Sequence, residues 1–119
     1  MKYDFWANVK EGDVLFYYDT DNWKLGIFEV LKIKDKSNYD GSFILETTCK
    51  EHHNIYVHIA NYLNNGYVGT WNHSTYKQIF ISNDRYELID HCKNELNKKI
   101  NTLENTVFYY KKLLNDIKY

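Results

Sequence analysis

Two periods divide the chain. Up to about residue 82, short runs of β-branched and aromatic residues alternate with polar ones between turn residues, the period-two signature of half-buried strands. From Asp84 onward apolar residues recur every three to four positions, the period of a helix. The first run, Val14 to Tyr18, follows the turn Lys10-Glu11-Gly12-Asp13. The next, Leu25 to Lys34, alternates Ile27, Glu29, Leu31 and Ile33 with Phe28, Val30 and Lys32, which predicts two strands joined through residues 19–24. Asn38 to Gly41 turns the chain into Ser42 to Cys49, and Asn54 to Ile59 places Ile55, Val57 and Ile59 opposite Tyr56 and His58. Asn64-Asn65-Gly66 reads as a tight turn, because Asn and Gly tolerate positive φ, and Tyr67 to Trp71 with Tyr76 to Ile81 forms a closing hairpin.

Five or six short strands in roughly 80 residues are too few for a sandwich of two full sheets, but they suffice for a strongly bent antiparallel barrel. The opening, in which Gly12-Asp13 turns into a hydrophobic strand and then a longer one, is similar to that of many SH3-like barrels. The expected fold is α+β: a small SH3-like antiparallel β-barrel or bent sheet over residues 1–82, then one long C-terminal amphipathic helix over residues 83–119, in a single domain.

Asp84 and Glu87 have the spacing of a capping box, and neither Gly nor Pro interrupts the chain from Asp84 to Lys118. At ~1.5 Å per residue such a helix spans roughly 50 Å, about twice the width of an 80-residue body, so its distal half is expected to outrun the barrel. The stripe keeps a heptad, with Ile100, Val107 and Leu114 at a and Leu96, Leu103, Tyr110 and Ile117 at d. β-Branched residues at a with Leu at d favour a parallel two-stranded coil, in which Lys99 at g meets Glu104 at the following e of its mate. The rival expectation folds the stripe back over its own barrel as a core element. Leu88, Ile89 and Cys92 are expected to pack on the barrel in either case.

Composition narrows the function classes. Hydrophobic residues at 44% and charged residues at 26% are ordinary for a globular chain, and 119 residues leave room for one core. The 15 basic and 16 acidic residues sum to −1, which provides no field toward phosphate backbones or anionic membranes. Residues 1–60 carry 7 Lys against 10 acidic residues (−3), and residues 61–119 carry 8 basic against 6 acidic (+2), so the tail is mildly basic. No apolar run approaches the ~18 residues of a membrane span, and no leader precedes Cys49 and Cys92, so a cytoplasmic protein with reduced thiols is expected. Fourteen Lys against one Arg, with 14 Asn, 12 Tyr and 10 Ile, is what AT-rich codons favour and points to a low-GC bacterium, its phage or its mobile element.

Candidate chemistry is sparse. Cys49, His52, His53 and His58, with His91-Cys92 further on, offer sulfur and imidazole in one region, but a structural zinc site takes ligand pairs two to four residues apart from two turns. His91 and Cys92 are adjacent and point about 100° apart on a helix. The expectation is surface histidines at a strand entrance and two reduced buried thiols, with no metal and no cofactor. Cys49 with His52 or His53 is a lone candidate nucleophile pair without a third orienting group, so no enzyme is expected. The five glycines sit singly, and no phosphate loop is present.

Aromatics are the excess, at 18% with three Trp and 12 Tyr, and some are expected to face solvent. Trp23 and Lys24 in a polar loop, Tyr39 in a turn, and Trp71, His73, Tyr76 and Lys77 around the last hairpin form the expected partner-binding set, since Tyr and Trp offer large contact area with few rotors. The sequence therefore leads to a protein-binding module that dimerises through its helix and engages a host protein. Nucleic acid, stacked on Trp71 and Tyr76 with Lys77 nearby, is the second choice, and a small molecule such as a nucleotide the third.

Overall fold

The structure, a computed structural model, describes residues 2–34, 41–72 and 75–117, with side chains at all of these except 2–4, 61, 71, 72 and 75. Strands β1 (Val14–Asp19), β2 (Leu25–Lys34), β3 (Ser42–Thr47), β4 (Asn54–His58), β5 (Val68–Asn72) and β6 (Thr75–Ser82) pair antiparallel in chain order. β6 returns to β1, with Phe16 opposite Ser82 and Asp19 opposite Ile79, and closes the barrel. Closure leaves none of the six described strands at a sheet edge.

Curvature comes from β2. Its first half pairs with β1, Leu25 opposite Tyr18 and Glu29 opposite Val14, while its second half pairs with β3, Ile33 opposite Leu45. Between them the register shifts from Val30 to Lys32, and a bulge of this kind bends a strand enough to serve two sides of a small barrel. The turn before β1 pins the bulge: Gly12, at φ +90°, donates its N–H to the Val30 carbonyl at 2.7 Å, and the Val30 N–H returns to Asp13 O at 2.8 Å. Only glycine adopts that φ without strain.

Alternation along the strands sends Leu15, Phe28, Leu45, Ile55, Val57 and Ile79 into the barrel core. Two short helices that the hydrophobic pattern does not announce complete it. α1 (Lys2–Asn8) brings Trp6, 1% exposed, edge-on against Phe43 and Tyr62 at ring separations of 5.8 and 5.4 Å. α2 (Ile59–Asn65) replaces the expected strand end at Ile59 and absorbs the Asn64-Asn65 turn. The turn residues act instead as a helix stop, with Gly66 at φ +81° donating to the Tyr62 carbonyl at 2.7 Å. Seven residues are too few to show a helical period or to be stable alone, so tertiary packing of Trp6 and Tyr62 makes these helices.

α3 (Arg85–Asp116) begins where the capping residues predict. Asp84 Oδ1 accepts from the N–H groups of Tyr86 and Glu87 at 2.9 and 3.3 Å. The reciprocal arm of the box is rerouted through Ser82, whose hydroxyl accepts the Asp84 N–H at 3.0 Å and faces Glu87 Oε2 at 3.4 Å. At 32 residues α3 is about 48 Å long. The chain divides into two compact units, Met1–Leu88 and Ile89–Tyr119; Leu88 is buried in the first. No described helix is long and apolar enough to cross a membrane.

Candidate functional site

A run of exposed apolar residues lies on α3. Every residue from Asn97 to Ile117 is exposed, including Ile100, Val107 and Leu114 at a and Leu103, Tyr110 and Ile117 at d. Leu103 is 63% and Leu114 68% exposed, while Leu96, the first d residue of the seam, is half-buried. Burying one such side chain is worth about 1.5 to 3 kcal/mol, so a continuous stripe of them in water marks an interaction face. Of three more exposed apolar residues, Leu113 at g flanks the seam, while Phe108 at b and Tyr109 at c lie on the outer side of the helix. Thr102 and Thr106 between them donate to the carbonyls one turn back at 2.9 Å, and Lys98, just before the stripe, pairs with Glu95 at 3.2 Å.

The expected aromatic surface is distributed unevenly. Trp23, at φ +60°, is half-buried and stacks on Tyr18 at 5.6 Å, and Tyr18 in turn stacks on Phe80. Tyr67 meets Phe80 edge-on and places its hydroxyl 3.3 Å from that of Tyr18. Trp23 is thus the outer member of an aromatic stack on the barrel wall. Lys24 beside it is exposed. Lys77 is tied to this loop through Asp21 at 3.6 Å, so the structure brings Trp23, Lys24 and Lys77 into one neighbourhood. Tyr76 is half exposed on the same strand. The backbone of Trp71 pairs with Tyr76, but its side chain, like Tyr39 and His73 altogether, lies outside the described residues.

A polar cluster occupies the end of β1 and the β3–β4 loop. Buried Thr47 builds the loop: its hydroxyl donates to His52 O at 2.8 Å and accepts the Cys49 N–H at 3.1 Å, and its N–H donates to His53 O at 2.8 Å. The loop turns His52 inward to 1% exposure, which corrects the expectation of a surface histidine there; His53 and His58 are exposed. His53 bonds Thr47 O through Nδ1 at 2.8 Å and lies 3.5 Å from Glu46. Lys34, 3.0 Å away, is the main cause that holds the Glu46 carboxyl below its ordinary range.

Cys49 meets Tyr17, with the thiol sulfur 3.2 Å from the phenol oxygen. Burial, and then that hydrogen bond, push the Tyr17 phenol far above its ordinary value, so it stays protonated. The Tyr17 and His52 rings meet edge to face, centroids 5.1 Å apart. Asp19 faces His52 across 3.8 Å, and Glu51 completes a group whose ligand atoms lie within 4.8 Å of one another. Of this group the sequence pattern marked only His52. Asp19 and Glu51 carried no signal, because Asp19 lies 33 positions from His52 and only the fold brings it there, and an acidic residue beside a histidine is commonplace in sequence.

No protein-family model, curated protein or solved structure matches the chain.

Proposed function

We propose that this protein is a non-catalytic protein-binding module that acts as a parallel homodimer through α3, of phage or mobile-element origin, and that its barrel surface docks on a host protein such as a nucleic-acid enzyme or defence factor. The observation that carries the reading is the exposed heptad from Ile100 to Ile117. A second copy of the chain is the occupant that fits it best. The a and d residues of one helix supply knobs for the holes of another, and Lys99 at g faces Glu104 at e of the mate, so the charges at the rim agree with a parallel pair. Trp23, Lys24, Tyr76 and Lys77, with Tyr39, Trp71 and His73, then remain for the second partner.

Two features weigh against nucleic acid as that partner: the net charge of −1, and the engagement of Lys77 with Asp21. The test is a cysteine at Ile100 in a background where Cys49 and Cys92 are Ser. In a parallel coil, a-position residues face each other, so mild oxidation should give a covalent dimer; a chain that stays monomeric contradicts the model. In parallel, mixed oligonucleotides should show no mobility shift at low salt, and a shift that weakens steeply with added salt would favour the nucleic-acid reading instead.

A further inference from the structure

His52 is 1% exposed, and among the described residues neither of its ring nitrogens has a hydrogen-bond partner. A buried polar group left in that condition forfeits about 1 to 3 kcal/mol, so an unmet imidazole calls for a partner such as an ion or an ordered water. Its Nε2 faces Asp19 Oδ2 across 3.8 Å, too far for a hydrogen bond. Asp19 is itself 2% exposed, and its Oδ1 accepts the N–H groups of Asp21 and Asn22 at 3.1 and 2.8 Å, which fixes the carboxylate with Oδ2 left for the imidazole. A neutral imidazole carries a lone pair on one of its two ring nitrogens and can ligate a metal through it.

We propose that Asp19, Glu51 and His52 form a binding site for a divalent transition-metal ion of the zinc class, held by one His52 nitrogen, Asp19 Oδ2 and a Glu51 carboxylate oxygen. One imidazole and two carboxylates suit zinc and its neighbours better than magnesium or calcium, which take oxygen alone. With metal–ligand bonds of ~2.0 to 2.2 Å, neighbouring donors stand about 3 to 4 Å apart, and the Asp19–His52 gap already has that size. Glu51 is exposed and closes the remaining distance by side-chain rotation.

Three protein ligands leave coordination positions open, as in sites that hold water or a further ligand. A cavity of about 180 Å³, lined by Tyr17, Lys24, Cys49 and Lys50 together with Asp19 and Glu51, adjoins them. The two lysines oppose the cation and favour an anionic ligand on its open side. Cys49 is engaged with Tyr17 and lies outside this group of ligand atoms, so of the cysteines and histidines weighed from the sequence only His52 belongs to this site.

Calorimetric titration of the full chain, purified with a chelator and then dialysed, with Zn²⁺ should give one ion per chain. Glu51→Gln should weaken binding about tenfold or more, and His52→Gln should abolish it, while His53→Gln and His58→Gln leave it unchanged. Glu51 is exposed, so its variant keeps the fold whether or not buried His52→Gln does. Co²⁺ should produce visible d–d bands without a sulfur charge-transfer band. Absence of saturable binding, binding untouched by Glu51→Gln, or a thiolate band from Cys49 would each overturn the assignment.

Discussion

The ring of Tyr76 lies across Gly69 on the neighbouring strand, in the space that a side chain at position 69 would need. The two sit on a diagonal of the β5–β6 ladder, where Trp71 is opposite Tyr76 and Gly69 opposite Gln78. Tyr76 therefore covers bare backbone with one face of its ring while the other stays half in solvent. Gly69→Ala should push the half-exposed ring away and destabilise the barrel modestly, by up to about 1 kcal/mol in urea denaturation. In the Tyr76→Ala background the same change should cost clearly less, and strict additivity would mean that the ring does not cover Gly69.

Trp6 should behave as core although it sits only six residues into the chain. Trp6→Ala removes the ring that joins Phe43 and Tyr62 and should cost about 3 to 5 kcal/mol, a large part of the stability of a small domain. Thermal unfolding of that variant should show a markedly lower midpoint, whereas Lys10→Ala, exposed just beyond α1, should change little. A near-native midpoint for Trp6→Ala would show that α1 is dispensable.

Alkaline pH should loosen the same region. Burial, with the charge of Glu87 adding to it, raises the Tyr62 phenol above its ordinary value of 10.0. The folded chain then keeps a proton that the unfolded chain releases, so this contribution to stability is full below about pH 10 and falls as pH rises toward the folded-state value. Tyr62→Phe should flatten that decline in a denaturation series across pH 9 to 11. An unchanged slope would mean that Tyr62 does not titrate differently on unfolding.

The strands and α3 were legible because their residues alternate or recur over enough positions for one face to stand out. Leu25–Lys34 was bounded correctly, and the start of α3 is set by the side chain of Asp84. α1 and α2 were not legible, since what makes them helical is Trp6 and Tyr62 meeting across the barrel end. The Asp19–His52 pair was hidden for a related reason. Its members are 33 residues apart, and His52 and His53 look alike in sequence; the Thr47 bonds decide which of them turns inward. Trp23 read as a loop residue facing water, and its stack on Tyr18 depends on a positive φ that no local pattern foretells.

Replacing Leu103 and Val107 together with Asp would put four charges into a two-stranded seam. That variant should sediment as a monomer or come out of solution, because the seam can no longer be covered. Asn101 and Asn105, at b and f, are exposed and lie off the seam, so Ala at either should leave the assembly state unchanged. If the double Asp variant keeps the assembly state of the unmodified protein, α3 does not carry the contact.

Self-association through α3 is most directly read from the mass of the unmodified protein in solution. Sedimentation equilibrium at micromolar concentration should return twice the 14.4 kDa of one chain, with a single species across the loading range. A stable, monodisperse species of 14.4 kDa under the same conditions would contradict the homodimer.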